Sequence, residues 1–436
     1  MPTVLYCAAV VCPMSGPPLT RGGVLVRGET IVAVGDAAAL RADADRVHEI
    51  QGALLPGLVN AHTHLEYSDA ADLARPGPFH RWIRALVGLT ADWDDARWSR
   101  SAHRGVQQLL RAGVTVVGDV VTRGPAVPAS ARAGLTGDSW VEVAMVDSEH
   151  QRDVLAALER TLALPAQGRR VGIAPHAVYT LGTEVLRALA TLAERANVPL
   201  HIHCAETREE VAAISSAAGP HADIARSRGM TFEWLDRGTG RSPVAYLDAL
   251  GALSPRTTLA HGVWINDREA RLLADRGVAV VCCPRSNAML QAGAAPLERY
   301  AAAGTMLALG TDSAASAPDL DLLAEAAAWV QLAGERGLTF WPSSVGPIPL
   351  AEQAIRLATV DGARAMGWGA HAGLLEVGRR ADLVGVEIDT SAQRVYTDLV
   401  ERGSGRQVMT VVGGVRKARR ASAEEPWPEI EHEDLQ

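Results

Sequence analysis

Residues 54–65 read Leu-Leu-Pro-Gly-Leu-Val-Asn-Ala-His-Thr-His-Leu, an apolar run that ends in His62-x-His64. On an extended strand, positions two apart face the same way. Two imidazoles at one strand end therefore supply half of a tetrahedral or trigonal metal site. Solvated loop histidines are the plainer reading, but a buried strand leading straight into the pair disfavours it. Partners should stand at the ends of other apolar runs, and they do. His176 follows 171–175, and His201-Ile-His203-Cys-Ala-Glu206 closes 199–204. His261 ends 257–261, and Gly310-Thr-Asp312-Ser313 ends 306–311. Of 13 histidines, six close such runs, a clustering that one convergent site explains.

Neutral imidazoles with one carboxylate suit zinc or ferrous iron. His62, His64, His203 and Asp312 would hold one cation per chain and leave room for water, whose pKa falls towards ~7 beside such a cation. Glu206, three residues past His203, stands as general acid, and His261 orients or deprotonates the water. Other roles stay open. His201 faces the same side as His203 one layer deeper and reads equally as an interior barrel histidine. His176 fits a core histidine under a loop, Asp312 a helix N-cap, and Glu206 the start of a solvated stretch with Arg208, Glu209 and Glu210. Cys282 and Cys283 read as small apolar residues.

The elements that must position these groups follow from the texture after Leu54. Apolar runs at 54–62, 114–119, 141–146, 171–175, 199–204, 257–261, 278–283 and 306–311 alternate with helical patterns. Strand–helix alternation implies parallel strands with helical crossovers. Eight runs imply an α/β fold, a closed (β/α)8 TIM barrel over 54–373 whose site lies in the loops at the strand C-termini. An open doubly wound sheet would carry a Gly-rich phosphate loop after its first strand, and none is present. Residues 1–53 read as short strands, with a hairpin turning at Arg27-Gly28-Glu29. Strands in 374–421 return to complete a small β-sandwich domain formed from both termini. Residues 422–436 read as a loosely ordered acidic tail.

Composition narrows the partners. Over 436 residues the net charge is −8, which argues against nucleic acid and anionic membrane and leaves a small-molecule substrate. No run approaches the ~18 apolar residues of a membrane span, and no basic segment precedes the apolar residues 3–12 as a signal peptide requires. Five cysteines in no disulfide spacing fit a reducing, cytoplasmic compartment.

Pro56-Gly-Leu-Val-Asn-Ala-His-Thr-His64, His203-x-x-Glu206, His261 and Gly310-Thr-Asp-Ser313 together resemble the amidohydrolase superfamily, most of all its cytosine deaminase and chlorohydrolase branch. Gly373–Val386 is similar to the return strand of that family's small sandwich domain. The resemblance implies His62, His64, His203 and Asp312 as metal ligands and Glu206 as proton donor to a ring nitrogen. It implies that His261 contacts the nucleophilic water, that Asp312 shuttles the proton to the leaving group and that His176 contacts substrate. Lys417 is the only lysine, so a lysine-bridged dinuclear site is excluded on residue content. One Zn2+ is expected, with Fe2+ as the alternative. Members are often dimers or larger, which leaves room for a homo-oligomer, although no interface signature stands in the sequence.

His64-Leu-Glu-Tyr-Ser68, Phe79-His-Arg-Trp-Ile-Arg84 and Cys283-Pro-Arg-Ser-Asn287 are similar to the 6-amino-6-deoxyfutalosine deaminases of menaquinone biosynthesis. Their substrate is an adenosine bearing a benzoate. The resemblance implies a cation for the carboxylate, with Arg81, Arg84, Arg123 and Arg285 as candidates. Trp82 or Tyr67 would stack, and Asn287 would touch substrate. The plainer reading of each single arginine is a surface salt bridge. Deaminases of S-adenosylhomocysteine, adenosine or guanine and triazine chlorohydrolases share the same ligands. A catalytically dead scaffold is disfavoured because the expected set is complete.

Overall fold

The computed structural model describes residues 1–164, 168–344 and 346–428. Eight parallel strands form the barrel: β1 (Leu58–Thr63), β2 (Val114–Val121), β3 (Thr136–Val143), β4 (Arg170–Pro175), β5 (Leu200–Cys204), β6 (Thr257–His261), β7 (Ala279–Cys282) and β8 (Met306–Leu309). They follow one another in sequence order round the sheet. Every residue of β1, β2, β5, β6 and β7 is buried, as expected for parallel strands covered on both faces. The seam between β8 and β1 is closed by the residues that carry the site motifs. Asp312 N–H donates to His62 O at 3.1 Å, and Asn60 Nδ2 donates to Thr311 Oγ1 at 2.7 Å. Gly310 permits the approach, because a Cβ there would lie 2.7 Å from His62 Cβ.

The apolar run at 54–62 is divided between two sheets. A strand over Arg46–Pro56 pairs with Leu383–Glu387, and the barrel begins only at Leu58. The change of sheet falls at Gly57, not between residues 53 and 54: Gly57 N–H bonds Asp382 O on the sandwich side, and Leu58 N–H bonds Gly113 O on the barrel side. Both strands are buried there, so hydrophobicity carries no mark of the switch. The third strand spans 136–143, not 141–146. Its start looks polar because Asp138 and Ser139 face guanidiniums, one half-buried and one buried: Arg170 Nε donates to Asp138 Oδ1 at 2.6 Å and Arg169 Nε to Ser139 Oγ at 2.7 Å.

The second sheet has eight strands drawn from both ends of the chain. Thr3–Val11 pairs in parallel with Arg46–Pro56, and the hairpin Gly22–Arg27/Thr30–Asp36 turns at Gly28, whose φ is +59°. Leu383–Glu387, Gln407–Val412 and Val415–Arg419 extend it on the other side. The sheet curls over a core of Tyr6, Val24, Ile31, Leu54, Leu383 and Val411. The expected tail starts tied to this domain: Ala423 N–H donates to Glu387 Oε2 at 2.9 Å, and Arg406 pairs with Glu424 at 2.9 Å. Residues 429–436 lie outside the described residues. Among the described residues no helix is long and apolar enough to cross a membrane. All five cysteines are free and buried.

Candidate active site

The strand ends bring the predicted groups together. His64 Nε2 lies 3.1 Å from His203 Nε2, and Asp312 Oδ1 lies 3.5 Å from His62 Nε2 and 3.6 Å from His64 Nε2. His62, His64 and Asp312 form one convergent donor group, and His62, His203 and His261 form another. All five are buried. His203 Nδ1–H donates to His176 O at 2.7 Å, so its Nε2 carries a lone pair. Burial first, then the neighbouring His62, holds His64 at about 3. His203 is held well below the usual imidazole range, chiefly by burial. Two neutral ring nitrogens thus face each other, and His62 Nε2 is buried without a hydrogen-bond partner. Such orphaned lone pairs beside a carboxylate fit a divalent cation of the zinc type. When bound, that cation makes water a nucleophile at neutral pH.

Asp312 is no helix cap; the helix that follows is capped by Asp321. Its Oδ2 accepts the Ser286 and Ser316 hydroxyls, each at 2.7 Å, which turns Oδ1 to the imidazoles. Burial works to raise this carboxyl, but the facing imidazoles of His62, His261 and His64 outweigh it and hold the group well below the usual carboxylate range. Glu206 has the opposite surroundings. It is 3% exposed, and burial, with Asp312 and Glu210 adding, pushes it well above the usual range. Its surroundings favour the protonated form, the form a general acid must hold. Its solvated-face reading fails, since only Arg208 of the following residues is plainly exposed. Glu206 Oε1 sits 3.7 Å from His261 Nε2. His261 Nδ1 meets Asn287 Oδ1 at 2.9 Å, so Nε2 presents a lone pair to the cluster. Burial holds His261 at about 4, leaving it neutral with a ring lone pair. Between His203 and Glu206 the chain makes a left-handed turn at Ala205, φ +52°. The Glu210 carboxylate accepts the N–H groups of Ala205 and Glu206 at 2.8 and 2.9 Å and fixes that turn.

From this cluster opens a cavity of about 480 Å³. A helix α1 (Phe79–Thr90) supplies Phe79, Trp82, Ile83, Leu86 and Val87 to one wall. Trp82 is fixed there by its indole N–H, which donates to Ala315 O at 2.7 Å. Tyr67, Tyr179, Met145 and Ile224 line other parts, His176 faces in, and Glu142, Arg84 and Arg228 bring charge. Several sequence candidates are placed elsewhere. Arg81 is exposed and outside the lining, since it stands about 200° round the helix from Phe79 at 100° per residue. Arg123 lies over the Trp98 ring. Arg285 is tied to Asp319 at 2.8 Å and faces Glu325 at 3.7 Å. Asn287 holds the far side of His261 and does not line the cavity. Arg228, Glu142, Tyr179 and His221 went unmarked in the sequence. His221 stacks on Tyr179 with ring centroids 4.0 Å apart.

The amidohydrolase family profile matches residues 53–416. The chain belongs to the amidohydrolase family. Residues 22–44 also match an imidazolonepropionase-like composite domain of bacteria. A 5-methylthioadenosine/S-adenosylhomocysteine deaminase of Moorella thermoacetica is 30% identical over 446 residues, 96% of this chain and 95% of the relative. An aminodeoxyfutalosine deaminase of Deinococcus radiodurans is 35% identical over 335 residues, 74% of this chain and 78% of the relative. The crystal structure of an adenosine deaminase from Xanthomonas campestris with bound zinc superposes with a TM-score of 0.77 at 26% identity, covering 99% of this chain and 95% of that one. This amidohydrolase is thus a hydrolytic enzyme of a metal-dependent family, and its His/His/Asp group fits that chemistry. Its only lysine, Lys417, lies in the second sheet, while β4 ends at Pro175-His176.

Proposed function

We propose that this amidohydrolase hydrolyses the 6-amino group of an adenosine-like nucleoside, with one zinc or ferrous ion per chain and a small-molecule substrate. The observation that carries the reading is the cavity: the Glu206 carboxyl and the His261 imidazole stand 3.7 Å apart at the cluster, and a largely apolar lining also holds the guanidiniums of Arg84 and Arg228. Glu206 gives its proton to a purine ring nitrogen. His261 takes a proton from the attacking water. Water adds at C6 and the C6–N bond then breaks; Asp312 carries the adduct's hydroxyl proton to the amino group, which leaves as ammonia, and His261 returns its proton to Glu206. His176 supports the base. Neither Arg84 nor Arg228 has an ion-pair partner among the described residues, and both edge the cavity. A purine alone leaves that end empty. A nucleoside with a carboxylate on its 5′ substituent fills it, and 6-amino-6-deoxyfutalosine, with an apolar ring before the carboxylate, suits Ile83, Val87 and Ile224 best. The second reading is a 5-methylthioadenosine/S-adenosylhomocysteine deaminase, supported by the relative that spans nearly the whole chain.

The test is ultraviolet-monitored deamination of aminodeoxyfutalosine, S-adenosylhomocysteine, 5-methylthioadenosine, adenosine and guanine by the zinc-loaded protein. The highest kcat/KM should fall on a carboxylate-bearing nucleoside. Arg84→Ala and Arg228→Ala should raise its KM by on the order of tenfold, the worth of one charge-assisted hydrogen bond, and raise that of adenosine less. Preference for guanine would overturn the reading.

A further inference from the structure

His201 is buried and takes no place in the donor groups of the site. Its Nε2 lies 2.8 Å from His62 Nδ1, and its Nδ1 lies 2.7 Å from Thr258 Oγ1. The Thr258 hydroxyl is directed at the Leu200 carbonyl, 3.4 Å away. A neutral imidazole has one N–H and one lone pair, so each bond in such a line fixes the next. The Leu200 carbonyl only accepts, so Thr258 donates to it and accepts from His201 Nδ1–H. His201 Nε2 is then a lone pair and accepts from His62 Nδ1–H. His62 Nε2, which has no other partner, is left as a lone pair at the Asp312 side. With the protons reversed, His62 Nε2 would carry hydrogen and could not ligate. Carboxylates and carbonyls commonly orient a metal-ligating histidine from behind; here an imidazole occupies that place.

The barrel is built to hold the ring. Trp140 stacks on His201 with centroids 4.1 Å apart and planes 13° from parallel. Its indole sits in a slot cleared by two glycines: a Cβ at Gly118 on β2 or at Gly172 on β4 would lie 2.5 Å from the indole. A histidine needed only to fill the barrel requires neither the two-sided hydrogen bonding nor the slot.

We propose that His201 is a positioning residue that sets the tautomer of His62, so that the His62 Nε2 lone pair faces the metal. The proposal rests on the metal-ligand reading of His62 and not on which nucleoside is the substrate. The test is zinc affinity of the full chain, stripped of metal and titrated against a chromophoric chelator, beside the thermal unfolding midpoint of each metal-free variant. His201→Phe keeps a ring against Trp140 and removes both nitrogens; it should weaken zinc binding 10- to 100-fold. His201→Gln, with an amide oxygen near the Nε2 position, should stay within about threefold of the native protein. Equal losses in the two variants, or native affinity in His201→Phe, would overturn the proposal. If His201→Phe does not fold, Thr258→Val decides: it frees His201 to flip and should weaken zinc several-fold, and unchanged affinity would contradict the assignment. A native protein that binds no zinc would sink the ligand reading itself, which is a separate outcome.

Discussion

Glu206 and Asp312 are buried carboxyls of one cavity, yet their surroundings push their proton affinities in opposite directions. Burial raises both. The imidazoles of His62, His261 and His64 override it at Asp312, whereas Asp312 and Glu210 add to it at Glu206. Two carboxyls with separated pKa values divide the ligand and acid roles between them. Glu206→Gln should therefore retain zinc at native stoichiometry and lower kcat by about 100- to 10,000-fold, the range of a general acid. Metal content with steady-state kinetics checks this; near-native turnover would mean another group is the acid. At this scale the sequence was informative where a residue closes an apolar run. His62, His64, His203, His261 and Asp312 all do so, and burial at a strand end leaves few other roles. Arginines were not legible in that way. Arg84 lines the cavity and Arg81 does not, and Arg285 is paired with Asp319, which lies 34 residues away. Charge alone reveals neither.

Short elements set the geometry of the catalytic groups. The helix Pro284–Met289 sends Ser286 to Asp312 and Asn287 to His261, and Glu325 accepts the Arg285 N–H at 3.1 Å to hold its start. The helix Pro220–Ser227 brings His221 against Tyr179 at the cavity wall. Burial, with His176 and His80 adding, lowers His221 to about 4. The unfolded chain binds this proton near pH 6.5, so the folded state loses stability as pH falls from 6.5 towards 4, by about 1.4 kcal/mol per pH unit. His221→Phe keeps the ring and removes the titration. Its unfolding free energy should gain on that of the native protein steadily from pH 7 to pH 4.5, measured by denaturant titration, and a constant difference would contradict the assignment. The sequence marked the long helices and most barrel strands through their periodicity. It did not mark α1, which lines the cavity with Phe79, Trp82, Ile83, Leu86 and Val87, nor the polar start of β3.

At the scale of the molecule, the two domains meet where one apolar run changes sheets. Gly57 is the pivot: a Cβ there would lie 2.2 Å from Thr115 Oγ1, inside β2. Gly57→Ala should lower the stability of the metal-free protein by about 1–3 kcal/mol through overpacking, read from the denaturant midpoint; an unchanged midpoint would show that β2 yields freely. The (β/α)8 plan was legible because eight buried runs recur with helices between them. The division at Gly57 was not, since burial is continuous across it. The barrel seam, closed by Asn60, His62, Thr311 and Asp312, places the site where the first and last strands meet.

The central claim is hydrolytic deamination at this seam, and isotope transfer tests it most directly. The zinc-loaded protein would be given its best 6-aminopurine nucleoside in H2(18)O, with ammonia and product mass followed together. One 18O at the purine 6-position per ammonia released, lost on chelation and restored by zinc, is the predicted result. No ammonia from any of the nucleosides with zinc bound, or ammonia without 18O in the ring product, would contradict it.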